Sequence, residues 1–206
     1  MNITLDDFGL NKKANHEIYK WTQNKKVDFV SILANSSSTN EALMLCKKDK
    51  KRQYQLGLHF NLIEGKPLCN KNEVLSLVDN KGYFYSLPIF MMKLFLRKIK
   101  KEDILKELQK QYDVVKKSGI QCNHINSHQN IHIFHFIYTL IEEFANKNKI
   151  PHIRQLNTIQ NRLRNFPIKY IAFMFLYSIS SLLFPSNKYR SNSFFETTFH
   201  PGTNYD

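Results

Sequence analysis

Two rhythms of apolar and polar positions alternate along the chain. Short apolar or β-branched runs at Asn2–Leu5, Val27–Ala34, Gln55–Leu62, Ile120–Ser127, Pro151–Leu156 and Phe194–Phe199 predict strands. Between them, Lys12–Gln23, Asn40–Lys50, Leu87–Ile99, Glu102–Lys117, His132–Asn146 and Leu163–Phe184 predict helices. The clearest is Glu102–Lys117, where Ile104, Leu105, Leu108, Tyr112 and Val115 share one face and Gly119 stands at the C-cap position. Ser36-Ser37-Ser38-Thr39 supplies cap residues for the helix from Asn40. Residues 68–86 read as irregular, with a turn at Asn80-Lys81-Gly82. Strands that alternate with helices predict an α/β fold with a mostly parallel sheet. No internal repeat or low-complexity linker interrupts residues 1–206, which read as a single domain.

Composition narrows the class. With 42% apolar and 13% aromatic residues in 206, the chain can bury a sizeable core, which excludes collagen-like and extensively disordered chains. Three cysteines at unrelated spacings, Cys46, Cys69 and Cys122, fit free thiols in a reducing compartment. Met1–Leu5 is too short for the apolar core of a signal peptide, and Asp6-Asp7 follows at once, so a cytoplasmic location is expected. The net charge of +13 raises the question of an anionic partner. Its lysines scatter in pairs, such as Lys12-Lys13 and Lys100-Lys101, and no long basic run with interleaved aromatics occurs. Nucleic acid is therefore not expected as a partner, and a basic nucleic-acid-binding protein is an alternative from a different class.

Tyr170–Phe184 is the longest uncharged apolar stretch. It is shorter than the ~20 residues of a spanning helix. It reads as a core or oligomer-interface helix, which leaves a homodimer open. Lys169, Lys188 and Arg190 flank it, so contact with a membrane surface is compatible but not favoured. Tyr83, Phe84 and Tyr85 either stack on a sugar ring or pack.

The polar residues of interest recur at strand ends. Asp6 and Asp7 close the first strand, His59 lies in an apolar strand, His124, Asn126 and His128 alternate with period two, and His200 closes the last strand. Taken singly, each has an ordinary reading: a strand histidine in the core, an Asp pair in a turn. His124, His128 and His132 are also spaced by four, as on one helix face. Two histidines and one carboxylate together suit a divalent ion; imidazole favours zinc, iron or nickel, and carboxylate with water also suits magnesium or manganese. Neighbouring residues of a regular strand face opposite ways. Asp6 and Asp7 can both face one site only where the strand ends and the chain turns, which Gly9 makes possible.

Four segments occur in order: Leu5-Asp6-Asp7-Phe8-Gly9-Leu10, Gly57-Leu58-His59-Phe60-Asn61-Leu62, His124-Ile125-Asn126-Ser127-His128-Gln129-Asn130-Ile131-His132 and His200-Pro201-Gly202. Val30–Asn35 and Glu64-Gly65-Lys66-Pro67 add smaller echoes. Together they resemble the YdjC-like carbohydrate deacetylases, a family that includes chitooligosaccharide and hopanoid-linked deacetylases. The resemblance implies an irregular β/α barrel that removes acetyl groups from N-acetylated sugars with one divalent metal ion, magnesium or zinc. Asp7, His59 and His128 match the metal ligands, Asp6 the general base, and His200 an acid or oxyanion partner. His124, Asn126, His132 and Arg154 fall to substrate contacts or to the shell behind the ligands. Asn126 and Asn130 stand where relatives usually carry Asp and often carry His. The implied partner is an N-acetylated sugar or oligosaccharide, with a lipid-linked one included. The alternatives on the same fold are a catalytically impaired sugar- or lipid-binding relative and another metal-dependent hydrolase or oxygenase.

Overall fold

The computed structural model describes residues 3–24, 26–154 and 198–199. The chain alternates β1 (Thr4–Phe8), α1 (Lys12–Asn24), β2 (Phe29–Ile32), α2 (Thr39–Lys48) and β3 (Gln55–Phe60). A long connection leads to α3 (Leu87–Phe95) and α4 (Lys101–Lys117), then β4 (His124–Ser127), α5 (His135–Lys147), β5 (His152–Ile153) and β6 (Thr198–Phe199). Short 3-10 turns occupy Lys71–Glu73 and His128–Ile133. The six strands form one sheet in the order β5-β4-β3-β2-β1-β6, and every neighbouring pair is parallel. The α/β class with a parallel sheet is therefore observed. Among the described strands, β5 and β6 are the two ends of this order.

A parallel sheet covered by helices buries both faces, so its strands read as continuous apolar runs rather than alternating ones. β2 is buried throughout, and β3 is buried from Leu56 onward. Ile18 of α1, Ala42 of α2, Ile104 and Leu108 of α4 and Ile137 and Ile141 of α5 pack on it in one continuous core. The sequence reading extends several strands too far: the ladder of the Val27–Ala34 run covers only Phe29–Ile32, and that of Ile120–Ser127 only His124–Ser127. The helix expected from His132 begins at His135. Gln129 and Asn130 have φ of 49° and 55°, left-handed values that break a helical path. The expected helix Leu163–Phe184, including the apolar stretch 170–184, lies outside the described residues, as do His200 and residues 194–197 of the last predicted strand.

α4 carries a second stripe that hydrophobic periodicity does not report. Asp103, Glu107 and Gln111, each four residues apart, are buried beside the apolar face. They bond the long connection after β3. Asp103 accepts from the amide and hydroxyl of Ser76, Glu107 from the amides of Leu68 and Cys69, and Gln111 exchanges two bonds with the backbone of Asn61. A loop satisfied by side chains in this way is held against the helix although it lacks ladder partners. Within that connection Phe84 is buried, whereas Tyr83 remains exposed beneath the Lys66 ammonium at 4.8 Å. Among the described residues no helix is long and apolar enough to cross a membrane. All three cysteines are unpaired and buried, and burial pushes each thiol up to about 12.

Candidate metal centre

β1 brings two adjacent carboxylates to one place. Asp6 and Asp7 are both buried inside the strand, not beyond its end as the sequence reading expects. The device is a register shift between Leu5 and Phe8 together with φ of 64° at Asp7. A non-glycine residue in that region costs about 1 kcal/mol or more and persists where its surroundings impose it. Gly9 follows with φ of 112°, and its amide donates to the Asn15 side chain at 2.7 Å. A Cβ there would stand 2.7 Å from the Leu33 carbonyl, so the turn after the carboxylates requires glycine.

Three donors converge beside this turn. Asp7 Oδ1 lies 3.1 Å from His59 Nε2 on β3 and 2.9 Å from His128 Nδ1, just past β4. One donor atom from each residue falls within 4.8 Å of the others, and all three residues are buried. The rings of His59 and His128 meet edge to face at 5.5 Å. An oxygen and two imidazole nitrogens converging out of water form a donor set that could hold a divalent metal ion.

Each histidine is held from behind. Asn126 Nδ2 donates to Asp6 Oδ1 at 2.7 Å and to Ser31 Oγ at 2.9 Å, so its oxygen is the atom facing His59. His59 Nδ1 therefore carries the hydrogen and donates to Asn126 Oδ1 at 2.6 Å, which turns the Nε2 lone pair toward Asp7. On the far ring edge of His128, Nε2 meets Glu64 Oε2 at 2.7 Å. Burial opposes charge on His128, but hydrogen bonds to Asp7 and Glu64 and their negative charges outweigh it and raise its pKa to about 9. The hydrogen bond to His128 in turn holds the Glu64 carboxyl below its usual range.

The remaining predicted residues lie in a layer beneath. Arg154 is buried, and its Nη1 donates to Asp6 Oδ2 at 2.6 Å, so both Asp6 oxygens accept hydrogen bonds. His124 Nε2 pairs with Ser31 Oγ at 2.9 Å, and its ring packs edge-on against Phe29. Gly57 makes room for that ring: a Cβ at residue 57 would stand 2.4 Å from it. His132 Nδ1 pairs with Ser127 Oγ at 2.6 Å, while its Nε2 is buried with no hydrogen-bond partner among the described residues. Desolvation drives His124 and His132 down to about 3, so both are neutral. The structure thus places Asp6, Asp7, His59, Asn126 and His128 together, sets Arg154 behind Asp6, and keeps His124 and His132 below the centre. The alternative of His124, His128 and His132 on one helix face does not occur, since they fall on a strand and an irregular turn.

Glu64 is not among the site residues of the sequence reading, where it appears only within the Glu64-Gly65-Lys66-Pro67 echo. It also borders a cleft of about 340 Å³ lined by Leu10, Asn11, Asn35, Ser36 and Asn61 at the C-terminal ends of β1, β2 and β3. Ligands of open α/β sheets bind at that end of the strands.

A family model described as YdjC-like protein matches residues 1–205. The chain belongs to the YdjC-like family. The chain is 31% identical over 157 residues to a carbohydrate deacetylase of Clostridium beijerinckii, covering 76% of this chain and 60% of that relative. It is 30% identical over 150 residues to a chitooligosaccharide deacetylase of Proteus mirabilis, covering 72% of this chain and 56% of that one. The chain thus spans less than two thirds of the length of these two relatives. A crystal structure of an Enterococcus faecalis protein proposed to act in cellobiose-phosphate cleavage superposes with a TM-score of 0.69 at 25% identity. The superposition covers 87% of this chain and 64% of that one.

Proposed function

We propose that this YdjC-like chain hydrolyses the acetamido group of an N-acetylated saccharide, with Asp7, His59 and His128 holding one divalent ion. The observation that carries the reading is the convergence of Asp7 Oδ1, His59 Nε2 and His128 Nδ1 in a buried cluster beside a second carboxylate. The deacetylase names of its relatives supply the substrate class. When bound, a divalent ion supplies positive charge that polarises the acetyl carbonyl and acidifies water.

The chain's own residues supply the rest. Asp6 accepts the proton of the attacking water at its carboxylate, held in place by the Asn126 amide and the Arg154 guanidinium. Asn126 fixes the hydrogen on His59 Nδ1 and so the orientation of that ring. Water adds to the acetyl carbon, the C–N bond breaks, and the sugar amine leaves with a proton. His200, which matches the family's acid by position in the sequence, is the donor in this reading. Products are acetate and a free amino sugar. The three unpaired, buried thiols favour a reducing, cytoplasmic setting.

The test is acetate release. Protein stripped of metal and restored separately with zinc, magnesium, manganese or cobalt is offered chitobiose and longer chitooligosaccharides. Release that requires a metal and is lost in Asp6→Asn and His59→Ala supports the reading. Metal bound through His59 and His128 with no release from any N-acetylated glycan would replace it with a binding role.

A further inference from the structure

The two histidines of the cluster are braced by different means. Behind His59 stands Asn126, an amide buried inside the sheet and fixed on its other side by Asp6 and Ser31. Behind His128 stands Glu64, whose side chain is 53% exposed on the turn after β3. An exposed glutamate is ordinarily free to sample many rotamers, so its placement needs a cause. The backbone that carries it is tied down from several directions. Asn61 Oδ1 accepts from the amides of Ile63 and Glu64, and Asn61 Nδ2 donates to the Glu64 carbonyl at 2.7 Å. Asn35 Nδ2 donates to the Lys66 carbonyl at 3.0 Å, and Asn35 Oδ1 accepts from Asn61. Gln111 of α4 clamps both backbone groups of Asn61. This network carries the Glu64 carboxylate to His128 Nε2 at 2.7 Å.

We infer that Glu64 is the positioning residue of His128. Its carboxylate accepts a hydrogen bond from Nε2–H and so presents Nδ1, the nitrogen 2.9 Å from Asp7, as the ligating atom. The inference rests on the reading of Asp7, His59 and His128 as ligands. An imidazole coordinates through one nitrogen only when its hydrogen sits on the other, and an acceptor behind the ring both fixes that tautomer and stops rotation about χ2. Because Glu64 also borders the cleft, an occupant of the cleft meets the same side chain that orients the ligand.

The experiment measures zinc affinity of the whole chain by chelator competition and the visible spectrum of the cobalt(II) form, for Glu64→Ala, Glu64→Gln and His59→Ala. Glu64→Ala is expected to bind zinc about 10- to 100-fold more weakly, the usual loss for such a partner, and to shift the cobalt bands. Glu64→Gln keeps an acceptor oxygen and is expected to return both readouts most of the way. The metal-free fold should persist in both, with only a small drop in melting temperature, since the side chain is half in water. Unaltered zinc affinity in Glu64→Ala overturns the inference. Equal loss in the Ala and Gln variants also overturns it, by making the carboxylate a ligand in its own right. Full zinc affinity in His59→Ala instead removes the ligand reading itself, a separate failure.

Discussion

His128 and His132 stand four residues apart on one short turn, and both are almost wholly buried. Their environments nevertheless drive them in opposite directions. His128 lies between the carboxylates of Asp7 and Glu64 and is raised to about 9. His132 has a serine hydroxyl for a partner and is driven down to about 3. Burial acts on both alike and disfavours charge. The carboxylates of Asp7 and Glu64 raise His128, whereas the positive charge of Arg154 adds to the burial that lowers His132. The comparison extends to the neighbours: above, Asp7, His59, His128 and Glu64 form a pocket of negative charge that calls for a cation. Below, His124, His132, Ser31 and Ser127 form a neutral polar floor.

Substitution on the two levels should break differently. His59→Ala removes a donor from the upper level and is expected to abolish metal binding and lower acetate release about 10³-fold or more, roughly 4 kcal/mol of barrier. His132→Asn, on the floor, should leave zinc affinity close to that of the unaltered protein and cost about 1–3 kcal/mol of stability through a disturbed buried hydrogen bond. Denaturant titration and zinc competition on both variants check the pair. Loss of metal in His132→Asn would erase the distinction between the levels.

The pH dependence of the metal-free protein sharpens it. Between about pH 6.5 and 3 the unfolded chain protonates His124 and His132 while the folded chain does not, so stability falls as pH drops through that window. Between 6.5 and about 9 the folded chain retains the proton on His128 that the unfolded chain has released, so stability falls as pH rises. Melting temperature against pH, in chelator, should therefore peak near 6.5. His128→Asn should remove the alkaline limb and leave the acid limb in place. A comparable loss of stability is expected from Gly57→Ala, which pushes a methyl group against both the ring and the backbone carbonyl of His124. It should cost about 1–3 kcal/mol by overpacking, read from the denaturation midpoint, and lower activity little at temperatures where the protein stays folded.

Much of this was legible in the chain itself. The alternation of short apolar runs with helical periodicity predicts the strand and helix order, because a parallel sheet hides both faces and its strands carry few polar interruptions. His59 and Asn126 stand out as polar residues inside such runs. Other features were illegible for physical reasons. The bulge and left-handed turn at Asp7 leave no mark on a hydrophobic pattern. Glu64 looks like any turn residue, and its partner is 64 positions away. The Asp103, Glu107 and Gln111 stripe reads as solvent-facing, because periodicity treats polar residues as exposed; its regular spacing of four beside an apolar face is the signal that could have revealed it.

The Asp6–Arg154 pair joins residues 148 positions apart. β1 thus carries a carboxylate whose counter-charge comes from the residue just past β5. A buried carboxylate without its guanidinium is strongly unfavourable, and closing so long a loop costs entropy before any contact rewards it. Contacts of this separation slow folding. The β1–β2–β3 core joins segments close in sequence, whereas Asp6 meets its guanidinium only when the segment around β5 docks beside β4. The charge balance at Asp6 therefore depends on a long-range closure that the local β-α-β units do not supply.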